Sequence, residues 1–526
     1  MIPQLPVGTQ TFSTIRRRGR CYVDKTAIIH RMITGGSDAV FLSRPRRFGK
    51  SLLCSTIAEV FRGNRELFGA IAGQPALAID SLDWDWKAHP VIKLALRGTE
   101  SGTTAEHLEL TLHNALVTVA RINGIELRDG PADVEFEGLI ADMYLQNRQH
   151  VVILIDEYDD PLLDAIGNPD LLETTRKLLR RFYRVIKNSE EFLRFVFITG
   201  ITKFSHVSVF SVLNHLKDIS LDDNYADICG FTQEELEHNF EPHLAEILAK
   251  TGLSRDVYLD KVRRNYNGYR FSYADAKLYN PFGMLLHLSS LGRFEEYWYE
   301  SGTPNFLVTL IKDQRINVAN LGEFQMTSAA LRKCDAARLD VIGLLYQSGY
   351  LTISDYDDMR QKFTLDFPNV EVKAAFAKTL IQLHVRVPDE PAESLYEKLP
   401  DALVRGDIKS AIDSIIAFLA SIDYTITAPL EYYYETAIVL IFRIFGLNCR
   451  PEARIAHGRI DTLVETSAYV YCFEFKLNND AEAALAQINT KGYLTPWKGQ
   501  GKMLFEVGVG INKKIRNIGN WGYRTI

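Results

Sequence analysis

The spacings that hold zinc or knit disulfides are missing from this chain. Its 526 residues include six cysteines, namely Cys21, Cys54, Cys229, Cys334, Cys449 and Cys472. They are scattered, with no Cys-x-x-Cys pair and no companion histidine spacing. That pattern excludes a zinc ribbon and a disulfide framework and fits a reducing cytosol. No apolar run reaches the roughly eighteen residues a membrane span needs. The opening MIPQLPVGTQTF lacks the charged and apolar blocks of an export signal. Low-complexity stretches and internal repeats are absent too. There is no basic excess: 60 Lys and Arg face 66 Asp and Glu, a net charge of −6. Overall charge therefore does not draw nucleic acid, and any such contact must come from local patches. The expectation is a cytoplasmic chain with no membrane partner.

What remains is ordinary globular composition, 46% hydrophobic and 24% charged, in a chain long enough for two to four domains and several cores. Near the N-terminus, Ala39 to Leu42 reads as a short buried strand. Ser43-Arg44-Pro45-Arg46-Arg47-Phe48-Gly49-Lys50-Ser51 follows, then a helical run to Phe61. Strand, loop, Gly-Lys-Ser and helix is the layout of a P-loop. Backbone N–H groups would cradle phosphates, Lys50 would reach the β and γ phosphates, and Ser51 would ligate Mg2+. One departure is plain: Arg44 stands where the usual first glycine falls. A second element supports the assignment. Val151 to Ile155 is an apolar strand that ends in Asp156-Glu157, as a Walker B element requires. Asp156 would hold Mg2+, and Glu157 would polarise the attacking water. A third strand, Phe192 to Ile198, ends in Thr199-Gly200, and Thr199 is the candidate γ-phosphate sensor; a plain solvated strand tip is the competing reading.

Near the C-terminus, Gly458-Arg459-Ile460-Asp461 precedes Glu474-Phe475-Lys476 by one turn. Tyr469 to Leu477 alternates, so Tyr471, Phe473, Phe475 and Leu477 share one face and Val470, Cys472, Glu474 and Lys476 the other. Pairing with a strand over 460–465, across a turn at Thr466-Ser467, brings Asp461 toward Glu474. Two carboxylates there suit a hard divalent cation. A lysine beside them can orient a water and offset charge on a pentavalent phosphorus. Charged edge strands that merely discourage aggregation produce a similar pattern. A helix over 480–491 with Gln487 inside it follows. A helix over 430–445, carrying Glu431 and Glu435, precedes.

Helix, strand, strand and helix with acids in these places resembles the PD-(D/E)XK nuclease fold. GRID…YVYCFEFKLNNDAEAALAQINTKGY is similar to the nuclease domain attached to AAA-like ATPases in many bacterial proteins. The resemblance implies that Asp461 and Glu474 hold the metal, Lys476 orients the nucleophile, Gln487 supports it and Glu431 adds a further acid. Glu435 falls where relatives often carry histidine, and Glu452 is a lesser candidate. Cys472 is expected to pack. YVDKT, RPRRFGKS, LIDEYDDP, FITGITKFS, ICGFTQEEL, NYNGYRF, LYNPF and YWYESGTPNFL resemble the bacterial AAA-ATPase-like family over about residues 5–310. In that family the Arg-Pro-Arg-Arg-Phe-Gly-Lys-Ser loop is the usual form, which brings in Arg46 and Arg47 beside Gly49, Lys50 and Ser51.

The middle of the chain reads as helical from Ala226 to Tyr269, with Thr232 and Glu235 matching a capping box. A helix near 339–347 and a hairpin over 350–367 resemble a winged helix, which binds DNA or covers a nucleotide. The acidic tip Asp355-Tyr356-Asp357-Asp358 disfavours DNA. Prolines and charges place a linker near 370–425 with a helix over 407–420. Two basic clusters stand out, Arg16-Arg17-Arg18-Gly19-Arg20, and Arg176, Arg180 and Arg184 with Lys177, Arg181 and Lys187. Either could follow a phosphate backbone. The second could also meet a neighbouring subunit or simply be a solvated helix face.

The fold expected is α/β. A P-loop AAA-like domain spans 1–235, a helical and winged-helix-like lid region 236–370, a helical linker 371–425, and a restriction-endonuclease-like PD-(D/E)XK domain 426–526. The expected function is an ATP-binding, Mg2+-dependent nuclease, with Mn2+ as a substitute metal and DNA ahead of RNA as substrate. It would work as a homo-oligomer whose nucleotide state controls cutting; the fusion of modules suggests defence or mobile-element biology. A nucleotide-gated switch whose nuclease-like domain binds without cutting is the alternative, and a nucleic-acid motor a third.

Overall fold

The computed structural model describes residues 2–96, 104–203, 216–298, 324–331, 341–376, 389–420, 448–455, 458–476, 480–512, 514–515 and 517–526. The chain divides into two compact units, Met1–Leu310 with Gly322–Glu371, and Ile311–Leu321 with Val372–Ile526.

The first unit is built on a five-stranded parallel sheet. Its strands are β1 (Ala39–Ser43), β2 (Val91–Ala95), β3 (Val151–Asp156), β4 (Leu193–Gly200) and β5 (Lys217–Asp218), in the spatial order β2-β3-β4-β1-β5. Parallel strands covered on both faces carry unbroken apolar runs, and Val151 to Ile155 are wholly buried. Two helices precede β1, α1 (Phe12–Arg17) and α2 (Thr26–Thr34), and helices lie between the strands from β1 to β4: α3 (Lys50–Phe61), α4 (Ala105–Ile122), α5 (Ala132–Asn147), α6 (Asp160–Asp164) and α7 (Pro169–Asn188). In α3, Leu53, Cys54, Ile57, Ala58, Val60 and Phe61 are all buried. This fixes the helix against the sheet, with its first turn at the tip of β1.

The segment expected to be helical from Ala226 to Tyr269 holds three helices, Gln233–Asn239, Glu241–Thr251 and Arg255–Tyr266. The capping box forms as expected: Thr232 Oγ1 accepts from the Glu235 N–H and Glu235 accepts from the Thr232 N–H. A helix (Val341–Ser348) and the antiparallel strands β6 (Phe324–Thr327), β7 (Thr352–Asp357) and β8 (Lys362–Asp366) make a small sheet ordered β6-β8-β7. That is the expected helix and hairpin, extended by one strand. Gly268 sits at φ +115°, and a Cβ there would collide with the Pro368 carbonyl. The Asn267-Gly268 turn is thus demanded by packing.

The second unit carries a mixed sheet ordered β13-β12-β11-β10-β9: β9 (Asn448–Ile455), β10 (Gly458–Glu465), β11 (Tyr469–Lys476), β12 (Met503–Asn512) and β13 (Asn517–Thr525). Only β11 and β12 pair in parallel. Alternation along β11 sorts two cores. Tyr471 and Phe473 pack with Leu399, Leu403, Ile412 and Ile415 from the helices Asp389–Arg405 and Ile408–Ala420. Val470 and Cys472 pack on the other face with Ile488, Tyr493 and Trp497. The first of those two helices was read as linker because Pro391 and Pro400 lie in it. Pro400 does sit inside the helix. Buried Leu395, Leu399, Ala402 and Leu403 hold the turn despite the backbone bond that proline removes.

Candidate functional site

The P-loop is a turn between β1 and α3. Gly49 takes φ +93° and Arg47 φ +68°, so the left-handed positions lie late in the loop. Arg44 is not left-handed, and glycine is not needed there. Instead its guanidinium is 1% exposed. It donates to the carbonyls of Ser43 and Ser220 at 2.9 Å, Tyr225 at 3.1 Å and Ala226 at 3.3 Å. It also lies 4.6 Å from the Phe271 ring centre. Arg44 is a structural clamp that ties the loop to the segment after β5.

A cavity of ≈ 480 Å3 opens over this loop, lined by Arg46, Arg47, Gly49, Lys50, Ser51 and Glu157 among others. Six of the residues expected at a nucleotide site therefore meet around one space large enough for a nucleotide. Lys50 is buried, and its ammonium donates to the carbonyls of Arg44 and Pro45, both at 2.9 Å. Burial lowers its pKa, and nearby Asp156 is the strongest charge opposing that. Asp156 ends β3, is itself buried, and is not among the residues that line the cavity. Glu157 faces the cavity from a left-handed backbone, φ 53°, a conformation a non-glycine residue holds only where its surroundings impose it. Thr199 is not brought to the cavity. It is fully buried, and its hydroxyl donates to the Leu42 carbonyl at 2.8 Å, across β4 and β1.

Several lining residues had no assigned role in the sequence. Lys25, from YVDKT, lines the cavity and forms an ion pair with Glu235 of the capping box. Ile228, Cys229, Gly230 and Phe231 come from ICGF, and Pro281 and Phe282 from LYNPF. Arg47 lies 4.2 Å from the Phe282 ring centre, a cation–π contact. Arg46 reaches Asp160 at 3.4 Å, and burial with Glu157 nearby pushes the Asp160 carboxyl up to about 7. Asp159 holds the acidic loop to the tip of β4. It accepts from the N–H groups of Ile201 and Thr202 and from the Thr202 hydroxyl. A Cβ at Gly200 would overlap the Asp159 carboxylate and stand 2.7 Å from Tyr158. The acids after β3 signalled this junction, but not which of them turns inward.

In the first basic cluster Arg16 is structural, while Arg17 and Arg18 are exposed. Arg16 is 1% exposed and donates to the carbonyls of Leu67, Gly69 and Pro75 at 2.7–2.9 Å.

In the second unit, β10 and β11 pair with Thr462 opposite Phe473, which sets Asp461 beside the end of β11. Asp461 Oδ2 accepts from the Phe475 N–H at 2.9 Å. Glu474 is 1% exposed. Its Oε1 accepts from Lys476 Nζ at 3.1 Å and from Gln487 Nε2, and Gln487 also reaches the Tyr493 hydroxyl at 3.3 Å. Among the described residues its buried Oε2 has no hydrogen-bond partner. Burial, and then the Asp461 charge, push the Glu474 carboxyl up to about 7. Gln487 is delivered by the helix Ala481–Lys491, capped by Asp480, which accepts from the Ala483 N–H. That helix lies close on β12 because residue 508 is glycine: a Cβ there would stand 2.8 Å from Leu485 Cγ and closer still to the Ala481 carbonyl. Cys472 is fully buried and packs, as expected. Glu431 and Glu435, with the helix expected around them, lie outside the described residues, and the side chain of Glu452 is likewise not described. Among the described residues no cluster of three or more His, Cys, Asp or Glu could hold a metal. The pair Asp461 and Glu474 still fits a divalent cation, because a buried carboxylate oxygen without a partner is costly until a cation or proton meets it.

No helix among the described residues is long and apolar enough to cross a membrane. The family model described as a predicted AAA-ATPase matches residues 6–210, and that of the PD-(D/E)XK nuclease superfamily matches residues 430–521. The chain is 35% identical over 528 residues to a protein of Azotobacter chroococcum mcd 1 described as an uncharacterized protein in vnfD 5'region, with 98% of each chain covered. A P-loop at the tip of a parallel sheet, two carboxylates on an antiparallel pair of a mixed sheet, and these matches along the chain agree. The chain belongs to the family that this protein represents, with a predicted AAA-ATPase domain followed by a C-terminal PD-(D/E)XK nuclease-superfamily domain.

Proposed function

We propose that this chain is an ATP-binding nuclease that hydrolyses phosphodiester bonds of nucleic acid, DNA ahead of RNA, with Mg2+ as the metal and Mn2+ as its substitute. The observation that carries the reading is Glu474. Its carboxylate is buried and half-satisfied beside Asp461, with Lys476 and Gln487 on its other oxygen. Asp461 and Glu474 would hold the cation. Bound there, the cation supplies Lewis acidity toward the phosphodiester and lowers the pKa of an attacking water. Lys476 contributes a positive charge next to the reacting phosphate and a donor to orient the nucleophile. Gln487 fixes the Glu474 carboxylate, held in turn near Tyr493. Glu431 is retained as a further acid for this site.

In the first unit, Arg46, Arg47, Lys50 and the N–H groups at the start of α3 would bind the triphosphate. Ser51 and Asp156 would serve its metal, and Glu157 would polarise the water. Thr199, with its hydroxyl committed to the Leu42 carbonyl, would act on the γ-phosphate only through the packing of β4. Nucleotide state in a homo-oligomer would then control the nuclease domain.

The test is cleavage of duplex and single-stranded DNA and RNA by the full chain, with Mg2+ or Mn2+ and with ATP, ADP or neither. Asp461→Ala and Lys476→Ala serve as controls. Metal-dependent cutting that both variants lose while staying folded supports the reading. A parent chain that cuts nothing under any of these conditions replaces it with the nucleotide-gated switch.

A further inference from the structure

We propose that the exposed face of α7 is a second nucleic-acid contact, a track for the phosphodiester backbone carried by the ATPase unit and separate from the cutting site. It rests on the reading that nucleic acid is the substrate. In a chain of net charge −6, residues 174–189 hold six cations and no acid. Packing sorts these cations. The inner side of α7 carries Leu179, Phe182, Tyr183 and Ile186, all buried, with Phe182 stacked on Phe136 at 4.6 Å. Arg181 lies off the outer row and is neutralised, by Asp133 at 2.8 Å and Glu109 at 3.1 Å.

The outer row is Lys177, Arg180, Arg184 and Lys187, all exposed. At 3.6 residues per turn these four fall within about 80° of arc and span about 15 Å of helix. Among the described residues no acid lies within ion-pair distance of Arg180 or Arg184, and Lys177 meets only Glu173, at 3.9 Å. A helix face stabilised for its own sake carries acids at i±4 to its cations; Arg180 and Arg184 have none there, and the acids stand at the two ends of the row, Asp170 and Glu173 before it and Glu190 and Glu191 after it. A row of cations this long spans about four phosphates of one strand, at 3.4 Å per nucleotide along a duplex. Guanidinium forks suit phosphate oxygens. The track is also placed to report to the nucleotide site. On the inner side of the same helix, the Tyr183 hydroxyl donates to the Tyr158 carbonyl at 3.2 Å, next to Glu157.

The test is binding of labelled duplex DNA, single-stranded DNA and duplex RNA to the full chain. It is run in chelator so that nothing is cut, over roughly 50 to 200 mM salt. Arg180→Gln/Arg184→Gln is compared with Lys250→Gln/Arg264→Gln, exposed cations of the same unit. The expected result is about tenfold weaker binding of the preferred nucleic acid by the first pair and a salt slope shallower by about 2, with the control pair unchanged. Equal affinity and slope for parent and first pair overturn the proposal, as does a parent that binds no nucleic acid. So does a first pair whose defect is a changed oligomeric state in sedimentation, which would make α7 a contact between copies. If the parent binds in this manner but never cuts with metal present, the nuclease reading fails and the track stands.

Discussion

Replacing Gly508 by alanine should damage the nuclease unit twice, once in stability and once in chemistry. The added Cβ would stand 2.8 Å from Leu485 Cγ and 3.1 Å from the Leu485 N–H, with the Ala481 carbonyl nearer still. Ordinary carbon contacts begin near 3.5 Å, so the helix Ala481–Lys491 must retreat by about 1 Å. The carbonyl and amide are backbone atoms, and no rotamer change relieves them. Overpacking of this kind costs about 1–3 kcal/mol, which lowers the melting temperature of a unit this size by roughly 3–10 °C. The same retreat draws Gln487 away from Glu474, and a displacement of about 1 Å at a catalytic constellation costs on the order of a hundredfold in rate. Gly522→Ala is the control. Gly522 pairs with Gly508 across β12 and β13, but its Cβ would meet only Leu485 Cδ1, at 3.4 Å. Calorimetry and cleavage rates at saturating Mg2+ read both variants. If Gly508→Ala matches Gly522→Ala in melting temperature and rate, the link from helix seat to carboxylate is wrong.

Arg44→Ala strands four carbonyls that its guanidinium now satisfies; about 3 kcal/mol or more should be lost in denaturant titrations, and Arg44→Lys, which lacks the fork, should not restore it. Lys50→Ala should weaken ATP binding by roughly 10- to 150-fold, read by calorimetric titration, whereas a change under twofold would remove the lysine from the phosphate site. Glu371 is buried, accepts from the Trp298 N–H at 2.6 Å, and burial pushes its carboxyl up to about 8. The folded state therefore holds this proton more tightly than the unfolded chain. Stability from this group is full below its ordinary value and falls as pH rises through about 8, by on the order of a few kcal/mol. Glu371→Gln should flatten that fall in urea midpoints measured across the range, and an unchanged slope refutes the assignment.

The carboxylate site was legible because β-strand alternation is a strict rule. Once Tyr469 to Lys476 is a strand, Glu474 and Lys476 must share the face of Cys472, and the Thr466 turn then sets Asp461 beside them. The P-loop was legible for a similar reason, since Gly-Lys-Ser between strand and helix has few other uses. Long-range choices were not. Nothing local to Arg44 shows that the chain after β5 offers it three carbonyls, so it reads as a defect in the loop when it is the loop's anchor. Arg16 likewise reads as the start of a basic patch and is buried among carbonyls of residues 67–75. The helix through Pro400 was hidden because local propensity opposed it and only the apolar face of the sheet restores it. The walls of the cavity over the P-loop come from six stretches far apart in sequence, which composition and period do not connect.

Both sites bury a charge whose sign is opposite to that of the ligand proposed for it. Lys50 sits among carbonyl dipoles, with burial lowering its pKa, where a polyanion would bind. Glu474 sits 1% exposed with one oxygen unmet, where a cation would bind. Burying such a group costs stability until the counter-charge arrives, and a ligand that binds only the folded state returns that stability by mass action. A chain built to fold alone would gain by replacing both groups with apolar ones. Glu474→Gln makes the point testable. In chelator at mildly alkaline pH, where the carboxylate is ionised and its Oε2 has no partner among the described residues, the variant should resist urea at least as well as the parent. Adding Mg2+ should then raise the parent's midpoint and leave the variant's where it was. A variant less stable than the metal-free parent, or a parent indifferent to Mg2+, would show that the Glu474 carboxylate serves the fold and not a cation.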